Sequence, residues 1–218
     1  MNSEPYVAAP SEGRTAPGVL VLHAWWGLND TFRGVCDRLA AEGFVALAPD
    51  IYGDGVIATT VEDAEAHMRA ASDSAMRERV EWALDALLAH PAVVGRSVGV
   101  IGFSLGAAFA LWLSRRRPEV GAVVTFYGTD GGSGDYAPSH AAYLGHYAPG
   151  DEWEPDEAVT ATEEVIRAGG RSVAIHRYAG TRHWFFELDR PEFDPDVADL
   201  AWKRTIAFLR ENLGPRGA

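Results

Sequence analysis

One short segment narrows the choice of fold more than any other. The apolar run Val98-Gly99-Val100-Ile101 passes directly into Gly102-Phe103-Ser104-Leu105-Gly106 and then into a helix-like stretch at 107–115. A strand that turns at once into a helix brings the two backbones very close, and glycine on both sides of the serine removes the Cβ atoms that would collide there. The serine backbone is held in an unfavourable conformation, and its oxygen projects from the end of the strand.

The rest of the chain repeats the alternation. Apolar runs at 18–22, 45–48, 98–101, 122–126, 143–147 and 173–178 are too short for helices and read as strands buried on both faces. Between them, Phe32, Val35 and Leu39 share one helical face before Gly43, and Met76, Val80, Leu84, Leu87 and Leu88 do so before Pro91. A further helix starts after Pro155 with Thr162, Val165 and Ile166 inward, and a last one runs from about Pro195 through Val197, Leu200, Ala201, Thr205, Phe208 and Leu209. This pattern predicts an α/β fold with a mostly parallel central sheet and helices on both faces. Residues 53–73 are polar and Ala-rich and read as a short helical excursion over the carboxyl edge of the sheet; residues 128–134 read as a surface loop.

With 218 residues, 47% of them hydrophobic, the chain has the size and apolar content of a single domain spanning 1–218. A formal charge of −12 repels phosphate backbones and anionic headgroups, so neither nucleic acid nor a membrane is expected as a partner. Residues 1–14 show no basic-then-apolar leader pattern, and a soluble, cytoplasmic monomer or homodimer is the expectation. The one cysteine, Cys36, rules out an internal disulfide and a multi-thiolate metal site, and it reads as a buried small hydrophobe.

A serine hydroxyl is a poor nucleophile near neutral pH and needs a base within hydrogen-bond reach, itself oriented by an acid. For this kind of turn the chain order is serine, then Asp or Glu, then His, the last two on loops after later strands. Asp151 follows the strand at 143–147, and His183 follows the strand at 173–178. Among seven histidines, His67 and His90 fall in helical segments, His140 precedes a strand, and His146 and His176 lie inside strands. His23 ends the first long strand at the same rim and is the alternative to His183. Glu152, Glu154 and Asp130 are the alternatives to Asp151. The oxyanion of an acyl-transfer intermediate requires two backbone N–H donors, and Leu105 and Trp25 stand where such donors belong.

These residues resemble the dienelactone hydrolase family of the α/β-hydrolases along nearly the whole chain. The likeness rests on Trp26-Gly27-Leu28-Asn29, on Ala48-Pro49-Asp50-Ile51-Tyr52-Gly53, on the turn at Ser104, and on Asp151-Glu152-Trp153-Glu154-Pro155 with His183-Trp184-Phe185. The resemblance implies the acid at the head of a D-x-[FW]-x-P segment, here Asp151, and the base just before an aromatic pair, here His183. It also marks departures. The founding enzymes use a cysteine nucleophile gated by a nearby glutamate, where this chain has Ser104 and Ala24, so a serine-nucleophile variant without that gate is expected. They hold a substrate carboxylate with arginines, one of them four residues after the histidine, where this chain has Glu187.

The expected activity is therefore hydrolysis of a small, neutral carboxylic ester or lactone through a Ser-His-Asp triad and an acyl-enzyme, with no cofactor and no metal. Ala24, Trp26, Trp153, Trp184, Phe185 and Glu187 are the expected pocket residues, with Glu187 repelling anionic lactones. Two alternatives remain open at this point: hydrolysis of thioesters or other acyl bonds by the same triad, and a non-catalytic binding module on the same scaffold.

Overall fold

The computed structural model describes residues 4–11, 14–95 and 97–214. Residues 1–3, 12–13, 96 and 215–218 of the expected domain, including part of the stretch read as lacking a leader, lie outside the described residues. Among the described residues one sheet is built from β1 (Tyr6–Ala8), β2 (Gly18–Leu22), β3 (Val45–Ala48), β4 (Val98–Phe103), β5 (Val120–Phe126), β6 (Ala142–Tyr147) and β7 (Val173–Arg177). The spatial order is β1-β3-β2-β4-β5-β6-β7. Every neighbouring pair is parallel except β1 against β3.

The strands expected from sequence are all present, with small shifts at their ends: β4 and β5 are longer than their apolar runs and β7 is one residue shorter. β1 was not expected. Its three residues carry a half-exposed pattern, as befits an antiparallel edge strand, and lie in the short stretch Tyr6-Val7-Ala8-Ala9 between two prolines, which does not by itself mark a strand.

The helices are α1 (Asp30–Ala41), α2 (Val61–Ala70), α3 (Asp73–Leu88), α4 (Leu105–Ser114), α5 (Asp156–Ala168) and α6 (Pro195–Leu213). Helices α1 and α6 bury Phe32, Leu39, Ile206 and Leu209 in the core on one side of the sheet. On the other side α3, α4 and α5 bury Leu84, Phe109 and Ile166. The central strand β4 is buried at all six residues, and each large aliphatic side chain so enclosed contributes about 1.5–3 kcal/mol. The segment 53–73 holds α2, as expected of a helical excursion, and it leans on the rim through Ala58 N–H donating to the Trp26 carbonyl at 2.9 Å.

Helix starts fix the loops before them. Asn29 caps α1 by accepting the Phe32 N–H, which pins the exit of the Trp25-Trp26 loop. Asp194 caps α6 with Pro195 in its first turn. Cys36 is buried on α1 and its thiol is pushed up to about 12 by burial, consistent with a packing role.

Candidate active site

The carboxyl ends of β2, β4, β5, β6 and β7 open onto one rim, and the candidate residues meet there. Ser104 sits between β4 and α4 at φ 49°, ψ −111°, the strained turn read from the sequence. Its N–H donates to the Phe126 carbonyl at 2.9 Å, locking the turn against β5. Glycine is obligatory on both sides: a Cβ on Gly102 would strike the Gly106 backbone, and one on Gly106 would strike the Leu22 and His23 carbonyls of β2 and its exit. The N–H of Leu105 opens α4, where a helix has no internal acceptor to offer.

Asp151 follows β6 and is buried. Its Oδ1 accepts the N–H groups of Trp153 at 2.9 Å and Glu154 at 3.3 Å, a local turn that holds the carboxylate before Pro155 starts α5. That leaves Oδ2 for His183 Nδ1, 2.7 Å away. On the far edge of the same ring, His183 Nε2 lies 3.0 Å from Ser104 Oγ. His183 is only 5% exposed, so the pair is shielded from bulk water.

Among the described residues, none of the alternatives is hydrogen-bonded to Ser104 or His183. His23 is fully buried; its Nε2 accepts the Ile51 N–H at 2.9 Å and its Nδ1 lies 2.6 Å from the Ala24 carbonyl, so both nitrogens are engaged by backbone. It ties the Trp25 loop to the exit of β3. Tyr52 adds a second tie, donating its hydroxyl to the Trp25 carbonyl at 3.1 Å. Glu154 accepts from the N–H and hydroxyl of Thr129, Asp130 accepts the Tyr136 hydroxyl, and Glu152 is exposed.

Four tryptophans cover the rim. Ring centroids lie 5.1 Å apart for Trp25 and Trp153, 5.2 Å for Trp26 and Trp184, and 5.7 Å for Trp153 and Trp184. Trp153 is 40% exposed, while the other three are buried. Trp184 adopts φ 65°, a left-handed conformation that costs a bulky residue on the order of 1–3 kcal/mol. A cleft of about 290 Å³ is lined by Asp151, Trp153, Arg182, His183, Trp184 and Glu192. Ala24, Trp26, Phe185 and Glu187 do not line it.

Glu187 differs most from expectation. It is fully buried, it accepts the Tyr127 hydroxyl at 2.8 Å, and burial pushes its carboxyl up to about 8. A carboxyl in that state is mostly neutral at pH 7, which removes the electrostatic argument against anionic substrates. Tyr127 is the residue that sequence reasoning missed: fully buried at φ 38°, its ring centroid lies 4.8 Å from that of His183. Its signal was the position directly after β5, beside the strand that carries Ser104.

A parallel sheet with a strained serine turn at its centre, and with acid and histidine on successive later loops, defines an α/β-hydrolase. Residues 4–213 match the dienelactone hydrolase family, and the chain belongs to that family of hydrolases acting on ester or lactone bonds. Protein usf of Aquifex pyrophilus is 31% identical over 95% of this chain and 93% of its own length. The crystal structure of a dienelactone hydrolase-like promiscuous phosphotriesterase from metagenomic libraries superposes with a TM-score of 0.82 at 28% identity, covering 94% of this chain and 91% of that one. The dienelactone hydrolase of Anabaena variabilis superposes at 0.71 with 20% identity over 96% of this chain and 91% of that one, a likeness of fold alone.

Proposed function

We propose that this hydrolase cleaves small esters or lactones through a covalent acyl-enzyme on Ser104. The reading rests on one observation: the unbroken run of hydrogen bonds from Asp151 through His183 to Ser104, 2.7 Å and 3.0 Å long. His183 Nε2 takes the Ser104 proton as Oγ bonds to the substrate carbonyl carbon, while Asp151 holds the ring and stabilises the imidazolium. The Leu105 and Trp25 N–H groups receive the oxyanion. The carbon–oxygen bond to the leaving alkoxide then breaks, and that oxygen takes the proton from His183. Water repeats the sequence in reverse, losing a proton to His183 and releasing the carboxylic acid with Ser104 restored. The aromatic rim supports an apolar acyl or alcohol portion in the substrate. The single sheet, with one core on each face, supports reading 1–218 as one domain.

The experiment is labelling with a fluorophosphonate probe, peptide mass mapping, and parallel assay on short p-nitrophenyl esters. An adduct on Ser104, with turnover lost in Ser104→Ala, is the expected result. A folded protein that turns over esters unchanged after Ser104→Ala defeats the assignment, and one that neither labels nor turns over puts the binding-module reading ahead of it.

A further inference from the structure

Buried carboxyls are rare without a compensating role, and Glu187 is fully buried one residue-contact away from the candidate base. Its Oε1 accepts from Tyr127, and the Tyr127 ring lies tilted against His183. Its Oε2 is buried with no partner, as are the indole Nε1 of Trp26 and Nε of Arg190. Arg190 lies over the Trp26 ring at 3.9 Å. Three elements therefore converge on one carboxyl group: the end of β5 through Tyr127, the β2–α1 loop through Trp26, and its own loop before α6 through Asp189 and Arg190. The carboxylate of Asp151, after β6, also helps to raise the Tyr127 hydroxyl, chiefly raised by burial.

We infer that Glu187 is a positioning residue that acts on His183 through Tyr127, and that its ionisation tunes the imidazole as a base. The neutral acid fixes the Tyr127 hydroxyl and so the ring against which the imidazole rests. The ionised form keeps that bond, now charge-assisted, and sets a negative charge behind the ring that becomes imidazolium when Ser104 loses its proton. The same charge can be received by the orphaned Trp26 Nε1, so the site already holds a donor for it. The inference rests on His183 being the base, as proposed above.

The test is the pH dependence of kcat/KM for a short neutral p-nitrophenyl ester, read at the isosbestic wavelength, in the wild type, Glu187→Gln and Tyr127→Phe. A neutral imidazole base requires an acid limb. Above it, the wild type is expected to show a second rise of about threefold, centred near pH 8, where the carboxyl ionises. Glu187→Gln keeps the acid limb and loses the second rise. Tyr127→Phe, which removes the donor that favours the ionised form, moves the second rise to higher pH and carries the test by itself if Glu187→Gln does not fold. A wild-type profile with one limb and a flat plateau overturns the inference. So does a second rise that survives in Glu187→Gln, an alkaline fall in place of a rise, or a variant slowed equally at every pH. Absence of the acid limb defeats the base assignment instead, which separates the failure of this inference from that of the proposed function.

Discussion

Two histidines in this molecule are built almost alike, and only one stands at the rim. His183 has Asp151 at 2.7 Å on Nδ1 and the Ser104 hydroxyl at 3.0 Å on Nε2. His146, inside β6, has the Tyr178 hydroxyl at 2.8 Å on Nδ1 and the Thr205 hydroxyl at 3.1 Å on Nε2. What separates them is what surrounds the bonds. The partner of His146 on Nδ1 is a neutral phenol, and full burial pushes the imidazole well below its ordinary range, so it stays uncharged. Thr205 sits in the middle of α6 with no positive backbone end beside it, whereas Ser104 stands at the N-terminus of α4. An imidazole between two hydrogen-bonding groups is therefore a packing device unless a carboxylate waits to receive its charge.

The comparison can be broken most sharply by exchanging the Nδ1 partners for isosteres. Asp151→Asn is expected to lower kcat by on the order of 10³ to 10⁴ on short p-nitrophenyl esters, because the amide favours the wrong imidazole tautomer. Tyr178→Phe, the matching change at His146, is expected to leave kcat within about twofold. Equal losses in the two variants would erase the distinction.

Stability reads the other side of the comparison. His146→Phe is expected to cost about 1–3 kcal/mol in urea unfolding, since it takes the imidazole partner from Thr205 and from Tyr178, which keeps only Arg204, with ester turnover almost unchanged. The pH slopes also differ in sign. The folded state holds His146 neutral, so the contribution of that site is complete above the ordinary histidine value and is lost as pH falls below it. Glu187 is raised from 4.5 to about 8, so its contribution is complete below about 4.5 and is lost as pH climbs toward 8. Unfolding measured from pH 4 to 9 should therefore show an acid slope that flattens in His146→Phe and an alkaline slope, on the order of a few kcal/mol, that flattens in Glu187→Gln. The smallest expected effect is at the exposed tryptophan: Trp153→Ala should raise KM about threefold for a butyrate ester with kcat nearly unchanged, a larger change than for the acetate.

Much of this architecture is legible in the residues, for physical reasons. Parallel strands covered on both faces must be apolar along their length, so β2 through β7 stand out as short runs. The antiparallel edge strand β1 is freed from that requirement, and its Tyr6-Val7-Ala8-Ala9 stretch between prolines is too short to stand out. Ser104, Asp151 and His183 are readable because each follows a buried strand in an order that the turn at Ser104 demands. Glu187 is readable only as a position: its burial and its bond to Tyr127 are not, because a loop carboxylate looks solvated and a tyrosine after a strand looks like core. Their pairing exists only where the loop before α6 folds back on the end of β5. His23 was ambiguous for a related reason: its position at the rim was readable, but its two backbone partners were not.

The left-handed backbone at Trp184 bears on how this protein can change over generations. Widening a substrate pocket ordinarily removes packing and weakens the fold, so a lineage must gather stabilising changes first. At this position a change to glycine removes a large ring from the cleft and at the same time relaxes a conformation that glycine adopts freely. Part of the lost packing is thereby returned, and a wider cleft beside His183 lies one substitution away rather than at the end of a longer mutational path.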